Sequence, residues 1–200
     1  MTGLRERWRL KAMHTIQERA LDLFDEKGFG AVTIEEIAAA AEVSPSTVYR
    51  LFGTKEGIIV ADEFDTMSEA EIAAMVDPHD PVESLLRSVR ADESAPAGAE
   101  SAPADQGPWR RVRYHFTEPS VRMAACASAD RTSRRLLPLI ASTGKFTDTQ
   151  ARVATNALTF GYFAALEQWY LDGGERPIAD YVEEGLRPLR ALWPSDDRLA

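Results

Sequence analysis

The stretch Thr33–Lys55, TIEEIAAAAEVSPSTVYRLFGTK, leaves the backbone few choices. Thr33 followed three residues later by Glu36 is a capping box: the hydroxyl accepts from the third helical amide and the carboxylate accepts from the amide of the cap. Ile34, Ile37, Ala38 and Ala41 recur at helical spacing and predict one buried face. Glu42 and Val43 make a turn. Ser44 is a good N-cap for a second helix, and Pro45 falls at its first position, where no amide donor is missed. Val48, Leu51 and Phe52 form the buried side of that helix. Ser46, Thr47, Tyr49 and Arg50 are left outside, a set of donors near a helix N-terminus with no acid among them, which suits a polyanion. Helix, tight turn and second helix with a polar N-terminal half is the helix-turn-helix plan, in which the second helix enters the DNA major groove.

The segment Ile16–Ile59 carries Ala20, Leu23-Phe24, Gly28-Phe29, Thr33, Ile37-Ala38, Val43-Ser44, Thr47, Tyr49, Phe52 and Lys55-Glu56. In these positions it resembles the N-terminal domain of TetR-type transcriptional regulators. The resemblance implies an all-α chain: an N-terminal three-helix helix-turn-helix DNA-binding domain, residues 1–55, followed by a helical ligand-binding and dimerisation domain, residues 56–200. Carried over by position, it implies that Thr33 and Ser44 donate to phosphates, a role compatible with capping. Tyr49 would lie against the DNA backbone or, alternatively, be half-buried in the core, and Lys55 would reach a phosphate. Pro45, Ser46 and Arg50 would face base edges, with Thr47 serving either purpose. This chain has Glu42 where the family usually has a glycine, at a position expected to need positive φ.

A net charge of −9 looks wrong for a DNA-binding protein until it is divided along the chain. The first 55 residues hold eight basic and eight acidic side chains, so the rest of the chain carries the whole deficit. Arg5, Arg7, Arg9 and Lys11 form a basic arm ahead of a first helix that starts near Lys11, and Arg50 and Lys55 flank the second helix of the motif. One side is thus predicted positive while the body repels phosphate. No apolar run is long enough to span a bilayer, and the N-terminus lacks the apolar centre of a signal peptide, which predicts a soluble, cytoplasmic protein without a membrane partner. The single cysteine, Cys126, leaves no intrachain disulfide or cysteine-cluster metal site, and its small-residue neighbours predict a buried thiol.

Helical spacing continues to the end. Ile16, Ala20, Leu23 and Phe24 predict a first helix stopping at Gly28. A fourth begins at Lys55 and is predicted to run as far as Met75. Val82, Leu85, Leu86 and Val89 mark another. Residues 92–108, rich in Ala, Ser, Pro, Gly and acids, predict a flexible loop. Helices follow over Trp109–Phe116 and Ser120–Ala141, the latter interrupted by Pro138. Asp148–Leu171 places Val153, Ala154, Ala157, Leu158, Gly161, Ala164, Ala165 and Trp169 near one face. A final helix from Pro177 carries Ile178, Tyr181, Val182, Leu186, Leu189 and Leu192. Periodicity leaves open whether these last two helices complete the monomer core or pair with their mates; the resemblance implies a homodimer through them, reading a palindromic operator on double-stranded DNA.

The second domain would hold a small-molecule effector. Trp109, Tyr114, Met123, Phe160 and Phe163 are candidates to line an apolar pocket, with ordinary core packing the alternative for each. Arg110, Arg113 and Arg122 beside them form either solvated salt bridges or the holder of an anionic, amphipathic ligand. The run SPSTVYRLFGTKEGIIVADEFD with Glu118-Pro119 is similar to a TetR subgroup whose C-terminal domains bind acyl-CoA-like ligands. No cofactor is implied. His14, His79 and His115 are scattered, and there is no zinc-protease, nucleophile-elbow or phosphate-loop motif, which speaks against an enzyme.

Overall fold

In the computed structural model, residues 4–62, 64–94 and 108–193 are described, and every regular element among them is helical. The α-helices are α1 (Leu4–Lys27), α2 (Ile34–Ala40), α3 (Pro45–Phe52), α4 (Lys55–Val60), α5 (Glu69–Met75), α6 (Pro81–Ser94), α7 (Pro108–Thr117), α8 (Pro119–Ala141), α9 (Asp148–Leu171) and α10 (Ile178–Leu186). Short 3₁₀ turns occupy Phe29–Ala31, Phe64–Thr66 and Arg187–Leu192. The chain divides into two compact units, Met1–Glu63 with Arg113–Ala125 and Phe64–Val112 with Cys126–Ala200.

The first unit is built on α1, which packs against α2 and α4. Ile16, Ala20, Ile37 and Val48 are fully buried, with Phe24 beside them at 2% exposure. Burying a branched aliphatic side chain of this size stabilises the fold by about 1.5–3 kcal/mol, so a few such residues hold three short helices together. The basic arm expected before Lys11 is the start of α1 instead. Leu, Arg, Glu, Trp and Lys all accept helical conformation and nothing in the run stops it. Gly28, at φ 84°, ends α1, its amide donating to the Phe24 carbonyl at 2.9 Å.

The fourth helix also differs from expectation. α4 stops at Val60, and a new helix, α5, starts at a second capping box made by Ser68 and Glu71. α4 stays with the first unit beyond residue 55 because the Gln17 side-chain amide donates to the carbonyls of Ile58 at 3.0 Å and Ala61 at 2.8 Å. The corner between α3 and α4 closes on Gly57: a Cβ there would lie 2.0 Å from the Phe52 carbonyl oxygen.

In the second unit α9 and α10 pack face to face, with α6 against α10. Gly161 and Ala165 of α9 meet Leu186 and Gly185 of α10, and any Cβ on Gly161 would come within 2.7 Å of Leu186. The small residues therefore serve a close approach inside one chain. Arg90 to Glu183 at 2.8 Å and Arg190 to Glu83 at 2.9 Å tie α6 to α10 and the turn after it. Arg135 donates to the carbonyls of Phe64 and Met67 and lies over the Phe64 ring.

Four further expectations are corrected. α6 continues to Ser94, three residues into the predicted loop, and residues 95–107 of that loop lie outside the described residues. Pro138 does not interrupt α8; it is exposed, so the carbonyl robbed of its helical donor faces water. The final helix ends at Leu186, because Pro188 has no N–H to continue it. Cys126 is half-buried rather than buried.

Gly57→Ala is expected to lower stability by about 1–3 kcal/mol, the range for forcing an extra carbon into a packed site. Thermal unfolding followed by circular dichroism measures it, and an unchanged transition would mean that the corner opens freely.

Candidate nucleic-acid interface

Thr33 and Ser44 both act as helix caps. Thr33 Oγ1 accepts from the Glu36 amide at 3.2 Å while Glu36 Oε2 accepts from the Thr33 amide at 2.9 Å, completing the box. Ser44 Oγ accepts from the Thr47 amide at 3.2 Å and shares hydrogen bonds with the hydroxyls of Ser46 at 2.8 Å and Thr47 at 2.9 Å. Three hydroxyls thus cluster at the N-terminus of α3, where the helix end favours negative charge. Ser44, Pro45, Ser46, Tyr49 and Arg50 are exposed, Thr47 is half-buried, and Val48 and Phe52 are buried on the opposite side. Tyr49, at 50% exposure, is outside the core.

Lys55 is placed differently from the expected phosphate contact. Its Nζ donates to the carbonyls of Phe29 at 2.6 Å and Val32 at 3.0 Å and sits 4.5 Å from the centre of the Phe29 ring. The ammonium ties the turn after α1 to the start of α4, with one donor proton left over. Sequence reasoning missed this because periodicity does not show which carbonyls a turn leaves without partners.

Glu36 has a second partner that spacing did not reveal, Lys27 Nζ at 2.9 Å. The Lys27 hydrogen bond first, then those from Thr33, hold the Glu36 carboxyl down from 4.5 to about 2. At the turn, Glu42 takes φ 55°, the positive value anticipated for a glycine position. It is exposed, and it places an acid close to a surface otherwise made of donors.

One feature of this surface was not anticipated. Trp8, Arg9 and Ala12 of α1 face Thr47, Arg50 and Leu51 of α3 across an open cleft of about 420 Å³. Trp8 is 68% exposed. The signal was present as positions 8, 9 and 12 on one helical face, and it was hidden by treating these residues as an arm rather than a helix.

The residues nominated for a small-molecule site have varied surroundings. Arg113 and Tyr114 both bind Asp25 of α1 in the first unit: the guanidinium pairs with Asp25, and the phenol donates to the same oxygen at 2.7 Å. Burial first, then the Asp25 bond, push the Tyr114 phenol above its usual value. Tyr114 also packs on Phe24 and Phe29. These two residues are therefore structural partners of the helix-turn-helix unit. Trp109 is half-buried in the second unit, stacked on Tyr170 at 5.1 Å and edge-on to Trp169 at 5.4 Å, above Gly174. Arg122 lies 5.5 Å over the Phe116 ring. Arg110 and Phe163 are half-buried, whereas Met123 and Phe160 are 73% and 38% exposed.

Two outcomes follow from the cap and the turn. The native state gains from the ionised form of Glu36, so that contribution is complete above pH 4.5 and is lost as pH falls toward 2. Glu36→Gln is expected to lower the unfolding temperature at pH 7, with the gap to the parent narrowing below pH 4.5 and closing near pH 2. Glu42→Gly is expected to raise stability by roughly 0.5–1 kcal/mol, since relief of the left-handed backbone outweighs the added freedom of the unfolded chain. Chemical denaturation of both proteins checks it.

Residues 16–61 match the family of bacterial regulatory proteins called tetR. Over 73 residues the chain is 36% identical to the HTH-type transcriptional regulator TcmR of Streptomyces glaucescens, covering 36% of this chain and 32% of TcmR. Over 86 residues it is 35% identical to the HTH-type transcriptional regulator BetI of Rhizobium meliloti (strain 1021), covering 40% and 42%. The matched part thus spans about a third to two-fifths of these curated relatives. Along nearly its whole length the fold is similar to that of NalD, the secondary repressor of the MexAB-OprM multidrug efflux pump in Pseudomonas aeruginosa, with TM-score 0.54, 20% identity and coverage of 93% of this chain and 98% of NalD. It is also similar to Thermus thermophilus FadR, a TetR family transcriptional repressor solved in complex with lauroyl-CoA, with TM-score 0.50, 22% identity and coverage of 92% and 95%. The two caps, the positive-φ turn and the outward polar face of α3 all fall inside the stretch, residues 16–61, that matches the tetR family of bacterial regulatory proteins.

Proposed function

We propose that the protein is a homodimeric, sequence-specific transcriptional regulator, a repressor that binds a palindromic operator and is released by a small amphipathic ligand of the acyl-CoA kind. The observation that carries the reading is α3, whose inner face is buried through Val48 and Phe52 while Ser46, Tyr49 and Arg50 stand outside with no acid on the helix. In this reading residues 1–55 read DNA and residues 56–200 dimerise and hold the effector. Ser46 and Arg50 contact base edges, and Thr33, Ser44 and Tyr49 hold phosphates.

A stripe on α9 supports the dimer. Val153 at 63% exposure, Phe160, Ala164 and Leu171 at 67% are spaced by seven, four and seven residues, which aligns them on one helical face. Ala154, Leu158, Ala165 and Trp169 of the same helix are buried. The helix therefore serves its own core with one face and has a second apolar face left over, and a second copy of the chain is the occupant proposed for it. Two copies of α3 held about 34–36 Å apart reach successive major grooves on one side of B-form DNA.

With Arg113 and Tyr114 engaged by Asp25, and Phe160 given to the face proposed for the second copy, the proposed ligand contacts are Trp109, Arg110, Arg122, Met123 and Phe163. Thermus thermophilus FadR holds lauroyl-CoA, yet NalD shares the fold at least as well and represses a drug-efflux pump. The ligand class accordingly rests on the arginines and aromatics rather than on the fold. A ligand that binds better to a conformation with mismatched α3 spacing lowers DNA affinity by the ratio of its affinities for the two states. Met123, exposed on α8, favours a second reading in which the C-terminal region binds a protein partner instead.

Fluorescence anisotropy with the DNA flanking the coding region, at fixed salt and with or without long-chain acyl-CoA, tests the proposal. Specific binding relieved by acyl-CoA and lost in Tyr49→Ala/Arg50→Ala is expected. Specific binding that acyl-CoA leaves unchanged would remove the ligand class, and binding without sequence preference would remove the regulator. Val153→Glu/Phe160→Glu is expected to sediment as a folded monomer that no longer holds the operator tightly; a dimeric variant would place the interface elsewhere.

A further inference from the structure

The cleft between α1 and α3 is built from two apolar-and-cationic halves. The α1 side gives Trp8, Arg9 and Ala12, and the α3 side gives Thr47, Arg50 and Leu51. Its floor is apolar, with one arginine on either side and no carboxylate among its lining residues. Trp8 has no packing reason to be there: two-thirds of it faces solvent, in a domain whose other large aromatics apart from Tyr49, namely Phe24, Phe29 and Phe52, are buried. Two further basic residues of the same helix are exposed near it, Arg7 immediately before it and Lys11 about one turn on.

An apolar floor between two cations matches the repeat of a nucleic-acid strand, in which an apolar sugar face alternates with a phosphate. The α3 half of the cleft includes Arg50, which the proposed function sets at the base edges. We infer that Trp8 and Arg9 grip the sugar–phosphate chain of the operator strand flanking the bases read by α3, so that the bound site extends outward beyond the major-groove contacts. The inference rests on the DNA-binding reading above and adds α1 as a second contact element. Trp8 supplies an apolar plate for the sugar and Arg9 a charge for the phosphate, opposite Arg50. Such a contact fixes register and adds affinity without reading sequence.

The test uses the full chain and duplexes enriched from a random-sequence library by the parent protein. Each duplex is made in a long form and in a form trimmed to the enriched bases, and binding is followed by anisotropy. The parent is expected to lose roughly tenfold on trimming, the scale of a lost phosphate-and-sugar contact. Trp8→Ala is expected to lose the same factor on the long form and nothing further on the trimmed one, with a hydroxyl-radical footprint shortened at its outer edges. Trp8→Phe should keep most of the affinity. Arg9→Ala should reduce the dependence of log affinity on log salt by about 1. Because Trp8 lies outside the core, circular dichroism of the variants should match the parent. Trp8→Ala that binds both forms as the parent does, or that weakens on both equally, would overturn the inference. If the library yields no enriched sequence, the DNA-binding reading itself fails, a result distinct from either.

Discussion

The structure of the N-terminal unit depends on one constraint: α3 must be held firmly from behind while its front stays uncovered. Eight residues are too few for a helix to persist alone in water. Val48 and Phe52 supply the anchorage on one side, against a core in which Ile16, Ala20 and Ile37 are also buried. The Ser44 cap and Pro45 supply the start, so that the polar face needs no partner from the protein itself. Lys55 and Gly57 then close the exit, one by binding the Phe29 and Val32 carbonyls of the turn after α1 and the other by letting the chain pass within contact distance of Phe52. A helix fixed this way presents Ser46, Tyr49 and Arg50 in a defined orientation, which is what recognition of base edges in a groove requires.

Asp25 connects this unit to a later part of the chain. It lies in the last turn of α1 and accepts from both Arg113 and Tyr114, while the Tyr114 ring completes a cluster with Phe24 and Phe29. Residues more than eighty positions away thereby become part of the support behind the helix-turn-helix. Electrostatically the arrangement is economical. A carboxylate on the supporting side is neutralised by arginine, while the basic side chains of early α1 and Arg50 keep a face attractive to phosphate in a chain of net charge −9.

The helix-turn-helix was legible because its signals are local. Two caps at Thr33 and Ser44, a proline at the first position of α3 and a glycine-type turn at Glu42 each act within four residues, and the structure contains all of them. Long-range partners were not legible. Nothing in the spacing of Lys55 says that it binds Phe29 and Val32, and nothing near Arg113 or Tyr114 points back to Asp25, so three residues read as ligand or phosphate contacts have internal roles. Helix ends were misread where a breaker was overvalued or missed: Pro138 lies on a solvent face and is tolerated, whereas Pro188 ends α10. On α9 helical spacing sets Val153 and Ala164 near one face with Ala154, Leu158, Ala165 and Trp169, whereas Val153 and Ala164 are exposed and the other four are buried, a division that emerges only once burial is known.

The central claim is that paired copies of α3 lie in the major groove. Methylation interference on an enriched duplex tests it most directly, because guanine N7 is reached only from that groove. The account predicts two clusters of interfering guanines centred about one helical turn apart, roughly 10 base pairs, on one side of the duplex. A single cluster, or interference confined to adenine N3 in the minor groove, would contradict it.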